Sequence, residues 1–138
     1  MAEPKTQLTG KSVPAFIKNV DGDQRRKDCA VLIRLMKQAS GAAAKMYGPS
    51  IVGFGSQPIQ YASGKTGAWP IVAFSPRKSD LTLYVGRGAE DFDALLGKLG
   101  THTMSGGCLH IKRLSDVDLK VLAKLLSATV KARKKKHK

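Results

Sequence analysis

Carboxylates are scarce in this chain of 138 residues, which has 10 Asp and Glu against 24 Lys and Arg and a formal net charge of +14. Long apolar runs are absent, and none approaches the roughly 18 residues that a membrane-spanning helix needs. The first residues, MAEPKTQLTGKSVP, lack the apolar core of a signal peptide. These absences predict no membrane association and no secretion, and we expect the protein in the cytoplasm.

Cysteine occurs only twice, at Cys29 and Cys108, and both positions lie within apolar patterns. We interpret them as buried, reduced thiols, which agrees with a cytoplasmic protein. A chain of this length can bury enough apolar surface to fold as one domain without a disulfide or a metal.

Signatures of catalysis are also missing. We find no triad spacing, no paired carboxylates and no cofactor fingerprint, and Gly86-Arg87-Gly88 is too short to indicate a nucleotide site. Cys108 with His110 and His102 would suit a nucleophile with its base, or a metal site, but no acid lies near them in the sequence. The sequence therefore predicts no enzyme activity, no cofactor and no metal.

The basic residues are concentrated at the C-terminus. The segment KARKKKHK contains six of them, which leaves 18 cations and all 10 acids in residues 1–130. Such a like-charge block repels itself, so we predict a disordered tail over residues 131–138. Two interpretations remain open: a solvated tail, or non-specific attraction to nucleic acid through Lys131, Arg133, Lys134, Lys135 and Lys136.

Periodicity predicts the order helix, several strands, helix, strand, helix. Residues 21–41, 89–100 and 114–130 show helical spacing of apolar residues, the last with Leu119, Leu122, Leu126 and Val130. Short β-rich runs between Ile51 and Val85 indicate an antiparallel meander. This order favours an α+β fold, a two-layer sandwich of an antiparallel sheet with helices packed on one face. We predict a flexible arm over residues 1–12 and a single domain over residues 13–130.

The segment VAFSPRKSDLTLYV predicts a hairpin. Ser75 and Pro76 suit the first two positions of a type I turn, and Asp80 suits its closure. Turn geometry does not explain Arg77 and Lys78, because a turn tolerates most residues there. They represent either a solvated tip or a site of anion capture, in which Arg77 offers a planar fork of donors.

Strand alternation extends this candidate site. If Leu81, Leu83, Val85, Leu109 and Ile111 face the helices, the residues between them face the other way. The outward set then includes Tyr84, His110 and Lys112, which we predict to bind a ligand together with Arg77 and Lys78. The segment Ser105-Gly106-Gly107 is either an anion nest or a pair of glycines that eases entry into a strand.

Three segments, MYGPSIVGFG, YASGKTGAWPIVAFSPRKSDLTLYV and LLGKLGTHTMSGGCLHIKRLSDVDLKVL, resemble the DUF1801 family, also called YdhG-like. The resemblance runs from about Asp28 to Thr129 and implies a frataxin-like sandwich. Ala73 stands where the family usually has Gly, and His110 where it usually has Tyr. Gly106-Gly107-Cys108 replaces the commoner Gly-Lys-Ser-Cys.

The resemblance does not supply a function, because most members of the family have no assigned activity. One branch is linked to iron handling by analogy with frataxin, whose iron binding uses an acidic helix. The corresponding helix here, QRRKDCAVLIRLMKQ, is basic, which disfavours an iron-chaperone role.

We therefore expect a non-catalytic binding module for an anionic small ligand or an acidic partner. The alternative is non-specific nucleic-acid association, carried by the tail together with Arg25, Arg26 and Lys27.

Overall fold

The structure is a computed structural model, and it describes residues 12–47, 50–55, 57–60, 66–77, 80–85 and 91–136. Nearly all of the predicted N-terminal arm lies outside these ranges. The described helices are α1 (Val13–Lys18), α2 (Asp23–Ser40), α3 (Phe92–Leu99) and α4 (Leu119–Lys136), with a short 3₁₀ turn at Leu114–Asp116. None of these helices is both long enough and apolar enough to cross a lipid bilayer.

In the described part of the chain, eight strands lie between α2 and α4. They are β1 (Ala44–Tyr47), β2 (Ile51–Phe54), β3 (Gln57–Gln60), β4 (Thr66–Trp69), β5 (Val72–Pro76), β6 (Leu81–Tyr84), β7 (Thr103–Ser105) and β8 (Cys108–Ile111). Six of them form one antiparallel sheet in the order β1-β2-β5-β6-β8-β7, and β3 pairs with β4 as a separate hairpin. The predicted α+β architecture is confirmed.

Helices cover one side of the main sheet, which we call its inner face. Helix α4 packs against α2 and α3, and both α2 and α4 contact β5. The strands contribute fully or almost fully buried apolar side chains to this core: Met46, Val52, Phe54, Val72, Phe74, Leu81, Leu83, Leu109 and Ile111. The alternation predicted for β6 and β8 is confirmed.

Local chemistry explains where the helices begin and end, with some differences from expectation. Gly41 ends α2 in the left-handed conformation, as predicted, but Gly22 occupies the N-cap position in place of an aspartate side chain. Asp118 caps the N-terminus of α4, because its Oδ1 accepts hydrogen bonds from the Lys120 and Val121 amides at 2.9 and 3.3 Å. Leu119, predicted on the apolar face of α4, is 37% exposed in its first turn.

The strand region differs from the predicted order in two places. Strand β1 precedes Ile51, where the predicted meander begins, and β7 adds a strand between α3 and β8, where the sequence indicates one strand only. Both strands were missed because a strand of three or four residues shows almost no alternation. Between β7 and β8, Gly106 has a φ of 58°, so the two glycines form a tight hairpin turn.

Helix α4 continues through most of the segment whose charge predicted disorder. Its apolar face persists past Val130, and Ala132 still packs against the core. The next residue is Arg133, whose guanidinium donates hydrogen bonds to the backbone carbonyls of Ile71 and Tyr84, the latter at 3.4 Å. These contacts hold the helix over the sheet and offset the repulsion among its cations.

Candidate functional site

The hairpin between β5 and β6 closes further along the chain than its sequence predicted. Pro76 pairs with Leu81, and the Arg77 amide donates to the Asp80 carbonyl at 2.8 Å. Arg77 and Asp80 therefore close the hairpin, and Lys78 lies outside the described residues. The predicted type I turn beginning at Ser75 is wrong. Ser75 is a strand residue, 1% exposed, whose Oγ donates to the Ser50 carbonyl at 2.7 Å.

Arg77 and Tyr84, both predicted as ligand-binding residues, are in direct contact. Arg77 is exposed, and its Nη2 donates to the Tyr84 hydroxyl at 2.9 Å. This hydrogen bond, helped by the nearby Asp80 carboxylate, raises the pKa of Arg77 above its ordinary value. The guanidinium is therefore a fixed positive charge, oriented by a partner on the neighbouring strand.

Arg25 fastens the same hairpin to helix α2. Its Nη2 donates to the Arg77 carbonyl and, at 3.4 Å, to the Asp80 carbonyl. The Asp80 carbonyl also accepts from the Arg77 amide within the turn, so one guanidinium nitrogen joins two carbonyls at the base of the hairpin. Arg25, predicted as a phosphate contact, therefore has a positioning role at this site.

A pocket of about 300 Å³ opens between α1, the start of α2 and the end of the hairpin. Its polar lining includes Arg25, Arg77 and one carboxylate, that of Asp21. The remaining lining residues are mainly apolar or neutral: Phe16, Asn19, Val20, Ser50 and Pro76. The pocket thus combines two arginines and one aspartate with an apolar wall.

His110 lies in a polar network on the side of the sheet opposite the helices, which we call its outer face. Its Nδ1 is 3.2 Å from Thr82 Oγ1 and 3.3 Å from Asp80 Oδ2, while Thr82 also donates to Asp80 Oδ1 at 2.9 Å. The expectation that no acid accompanies His110 is wrong, because the antiparallel pairing of β6 with β8 brings Asp80 beside it. Engaged with Asp80, His110 is a poor candidate for direct anion binding.

Lys112 follows the end of β8 and is exposed. Within the described part of the chain it makes no hydrogen bond or ion pair. The structure therefore groups Arg77 with Tyr84, places His110 in the adjoining Asp80 network, and leaves Lys112 apart from both.

The two cysteines are both free, but only Cys29 is buried. Cys108 is half-buried on the outer face, opposite Tyr84 in the strand register, so its predicted burial is wrong. His102 is turned away, with its Nδ1 2.7 Å from the Gly100 carbonyl. Among the described residues, no group of three or more His, Cys, Asp or Glu is arranged to hold a metal ion.

The residues predicted to attract nucleic acid fall into two classes. Lys27 and Lys131 are exposed, whereas Arg26 donates to the Val20 carbonyl at 2.6 Å and pairs with Asp23. Burial lowers the pKa of Arg133, which is committed to backbone carbonyls of the sheet, so its assignment to a free tail is wrong. The side chains of residues 134–136 lie outside the described part.

Sequence reasoning missed the α1 side of the pocket. Phe16 lies in a six-residue helix that carries no chemical signature, Asn19 is the C-cap of that helix, and only the tertiary fold brings them to Arg77. Comparison of the chain with protein-family models, with curated proteins and with solved structures finds no match in any of the three. The geometry of the pocket is therefore the basis for interpreting its function.

Proposed function

We propose that this protein is a non-catalytic, cytoplasmic binding module for a small organic anion, held in the pocket between α1, α2 and the β5–β6 hairpin. The observation that carries the proposal is that Arg25 and Arg77 line one pocket whose wall includes Phe16, Val20 and Pro76. The cytoplasmic location is part of the proposal and is supported by two free thiols. We also propose that the chain is related to the DUF1801 family, as its sequence resemblance implies.

Arg77 is suited to recognise a carboxylate or a phosphate monoester. A guanidinium has five N–H donors, and the bond to Tyr84 uses one nitrogen while fixing the plane of the group. Orientation in advance lowers the entropy lost on binding, and paired N–H groups match the geometry of an anion with two oxygens. The ligand-free protein therefore already holds the donor fork in place.

The rest of the lining restricts the chemistry of the ligand. Phe16, Val20 and Pro76 favour a ligand with an apolar or aromatic body, because burial of apolar surface adds to affinity. Asp21 opposes a multiply charged anion and favours a ligand that also carries a hydrogen-bond donor. These features favour a small amphiphilic anion over an acidic protein partner, because the pocket offers a small partly apolar volume and not an extended basic surface.

An NMR titration of amide shifts with phenyl phosphate, inorganic phosphate and phenol tests this proposal. We expect phenyl phosphate to bind more tightly than either fragment, with the largest shifts at Phe16, Asn19 and Arg77. Arg77→Ala should weaken binding about tenfold or more, since a charge-assisted hydrogen bond contributes about 1.5–3 kcal/mol.

The matched control is Arg113→Ala, which removes an exposed arginine outside the pocket lining. It should leave the affinity for phenyl phosphate unchanged. Equal losses in the two variants, or shifts that map away from the pocket, would show that the protein attracts anions only through its net charge.

No observation favours the iron-chaperone alternative that the resemblance implies. The exposed positions of α2 include Lys27, Arg34 and Lys37, so the helix repels cations along its length. Nucleic-acid association remains the second candidate function, and the exposed cations of α2 and α4, which lie outside the pocket, favour it.

A further inference from the structure

Cations are concentrated on the outward sides of helices α2 and α4. On α2 the residues that point away from the sheet include Lys27, Arg34 and Lys37, all exposed. On α4 they include the exposed residues Lys120, Lys124 and Lys131, spaced at i, i+4 and i+11 and therefore on one side of the helix. We call these six residues the basic helical face.

Carboxylates are scarce on this face. Helix α4 contains no Asp or Glu, and the outward positions between its lysines include Ser127. Helix α2 has Asp23, which is exposed one turn before Lys27 but pairs with Arg26, and Asp28, which is 4% exposed and accepts a hydrogen bond from the Leu114 amide at 3.2 Å. Among the described residues, none of the six cations forms an ion pair, unlike Arg113 with Asp116.

The two rows of cations are close together, because α2 and α4 pack against each other. Packed helices lie about 8–10 Å apart. At a rise of about 1.5 Å per residue, Lys120 to Lys131 spans about 16 Å and Lys27 to Lys37 about 15 Å. The face is thus a two-row array of positive charge, comparable in length to several nucleotides of a phosphate backbone.

We propose that the basic helical face binds the phosphate backbone of double-stranded nucleic acid without reading its sequence. Lysine supplies a compact charge suited to phosphate, and such contacts give affinity that does not depend on the bases. Two helices side by side are too broad to enter a major groove about 12 Å wide together, so the face lies across the backbone.

Other polyanions fit this surface less well. Binding of single strands relies on aromatic side chains that stack with bases, and among the residues whose burial is described (12–47, 50–55, 70–77, 80–85 and 91–133) no aromatic residue is exposed. Binding to anionic lipid relies on apolar side chains that enter the bilayer, and Leu119 is the one exposed large apolar residue in that same set. A backbone-bound duplex requires neither.

This surface shares only Lys131 with the C-terminal tail to which the sequence assigned polyanion binding. Arg133 bonds to the sheet, whereas Lys120 and Lys124 precede the tail altogether. The inference is also independent of the small-anion pocket, because none of the six residues lines it.

Fluorescence anisotropy with a labelled 20-base-pair DNA duplex of mixed sequence, over a range of salt concentrations, tests the proposal. The variant is the double substitution Lys124→Gln, Lys131→Gln, and the matched control is Lys18→Gln, Lys45→Gln. The control removes the same charge from exposed positions on α1 and on the outward side of β1. Glutamine preserves helix propensity, and circular dichroism checks that each variant folds.

We expect the α4 variant to bind the duplex more weakly and to lower the salt slope by about 2, because each phosphate contact contributes about 0.9 to it. The control should retain the wild-type slope, and a second duplex of unrelated sequence should bind equally well. Equal slope changes in both variants would overturn the proposal in favour of undirected charge. Binding to anionic phosphatidylserine vesicles without binding to the duplex would overturn it in favour of a membrane surface.

Discussion

The two sides of the main sheet are built on different principles. The inner face is uniformly apolar, and residues such as Phe74, Leu83 and Leu109 are fully buried beneath the helices. The outer face mixes a small apolar cluster of Tyr47, Ile51 and Ala73 with polar side chains. The difference shows that apolar burial organises one side, while specific hydrogen bonds and close contacts organise the other.

Buried polar residues on the outer face all have partners of defined geometry. Ser75 donates to the Ser50 carbonyl, Thr82 to Asp80, and the Tyr47 hydroxyl to the Gly55 carbonyl at 3.1 Å. A buried polar group without a partner costs free energy, so each of these bonds restricts which residues fit. Arg77 and Tyr84, which we predict to bind a ligand, lie at the edge of this face, where solvent reaches their side chains.

The largest difference between the two faces should appear on truncation of neighbouring residues in β5. Phe74→Ala should lower the free energy of unfolding by about 3–5 kcal/mol, because it leaves a cavity in the core. Ser75→Ala, on the outer face, should cost about 1 kcal/mol through one lost hydrogen bond. Urea unfolding measures both, and similar losses would mean that the two faces do not differ in this way.

A second experiment probes the close contacts of the outer face. A Cβ at Gly53 would lie 2.6 Å from the Tyr47 ring and from Pro70 Cβ, so Gly53→Ala should cost about 1–3 kcal/mol by overpacking. Gly97 is the matched control, because a Cβ there meets nothing within 4 Å and the residue lies inside α3. Gly97→Ala should stabilise the protein by up to about 1 kcal/mol through helix propensity. Thermal unfolding of both variants shows whether the signs are opposite.

The smallest expected effect concerns the two thiols. Burial raises the pKa of Cys29 from an ordinary 9.0 to about 11. Above pH 9.0 the unfolded thiol therefore loses a proton that the folded thiol keeps, and stability falls as the pH rises towards about 11. Cys29→Ala should reduce this fall in urea unfolding measured at about pH 8 and about pH 10.

Tyr47 contributes to the same fall, because burial raises its pKa as well. For that reason the comparison is between wild type and Cys29→Ala, with Tyr47 present in both. At about pH 8 a thiol reagent should modify Cys108 quickly in the native protein and Cys29 only after unfolding. Rapid modification of both thiols in the native state would contradict the burial of Cys29.

Sequence patterns predicted the inner face well, because burial leaves a periodic trace. The alternation of Leu81, Leu83 and Val85 and the helical spacing of Cys29, Leu32 and Met36 identified buried residues before any contact was known. Patterns failed where structure depends on pairing across the chain. The short strands β1 and β7, and the position of the turn after Pro76, are set by neighbouring strands and not by local composition.

The candidate site was only partly predictable for the same reason. Arg77 stood out because turn geometry left it unexplained, and Tyr84 followed from alternation. The contacts of Arg25 and Asp80 could not be predicted from the sequence. Arg25 is 52 residues from Arg77 along the chain, and Asp80 contacts His110 only because β6 pairs with β8. Charge counting also gave the wrong role to Arg133, because composition does not distinguish an exposed cation from one bonded to a carbonyl.

The contacts of Arg133 have a consequence for how the chain folds as it is synthesised. Helix α4 packs between partners made much earlier, and its Arg133 bonds to Ile71 and Tyr84 in the middle of the sheet. A nascent chain that stops before residue 119 lacks both α4, which packs against α2 and α3, and this guanidinium. Such sequence-distant contacts slow folding, because the intervening loop must close before they form. The sheet therefore stays exposed on the ribosome until α4 emerges, and a chaperone would have its longest opportunity to bind during that interval.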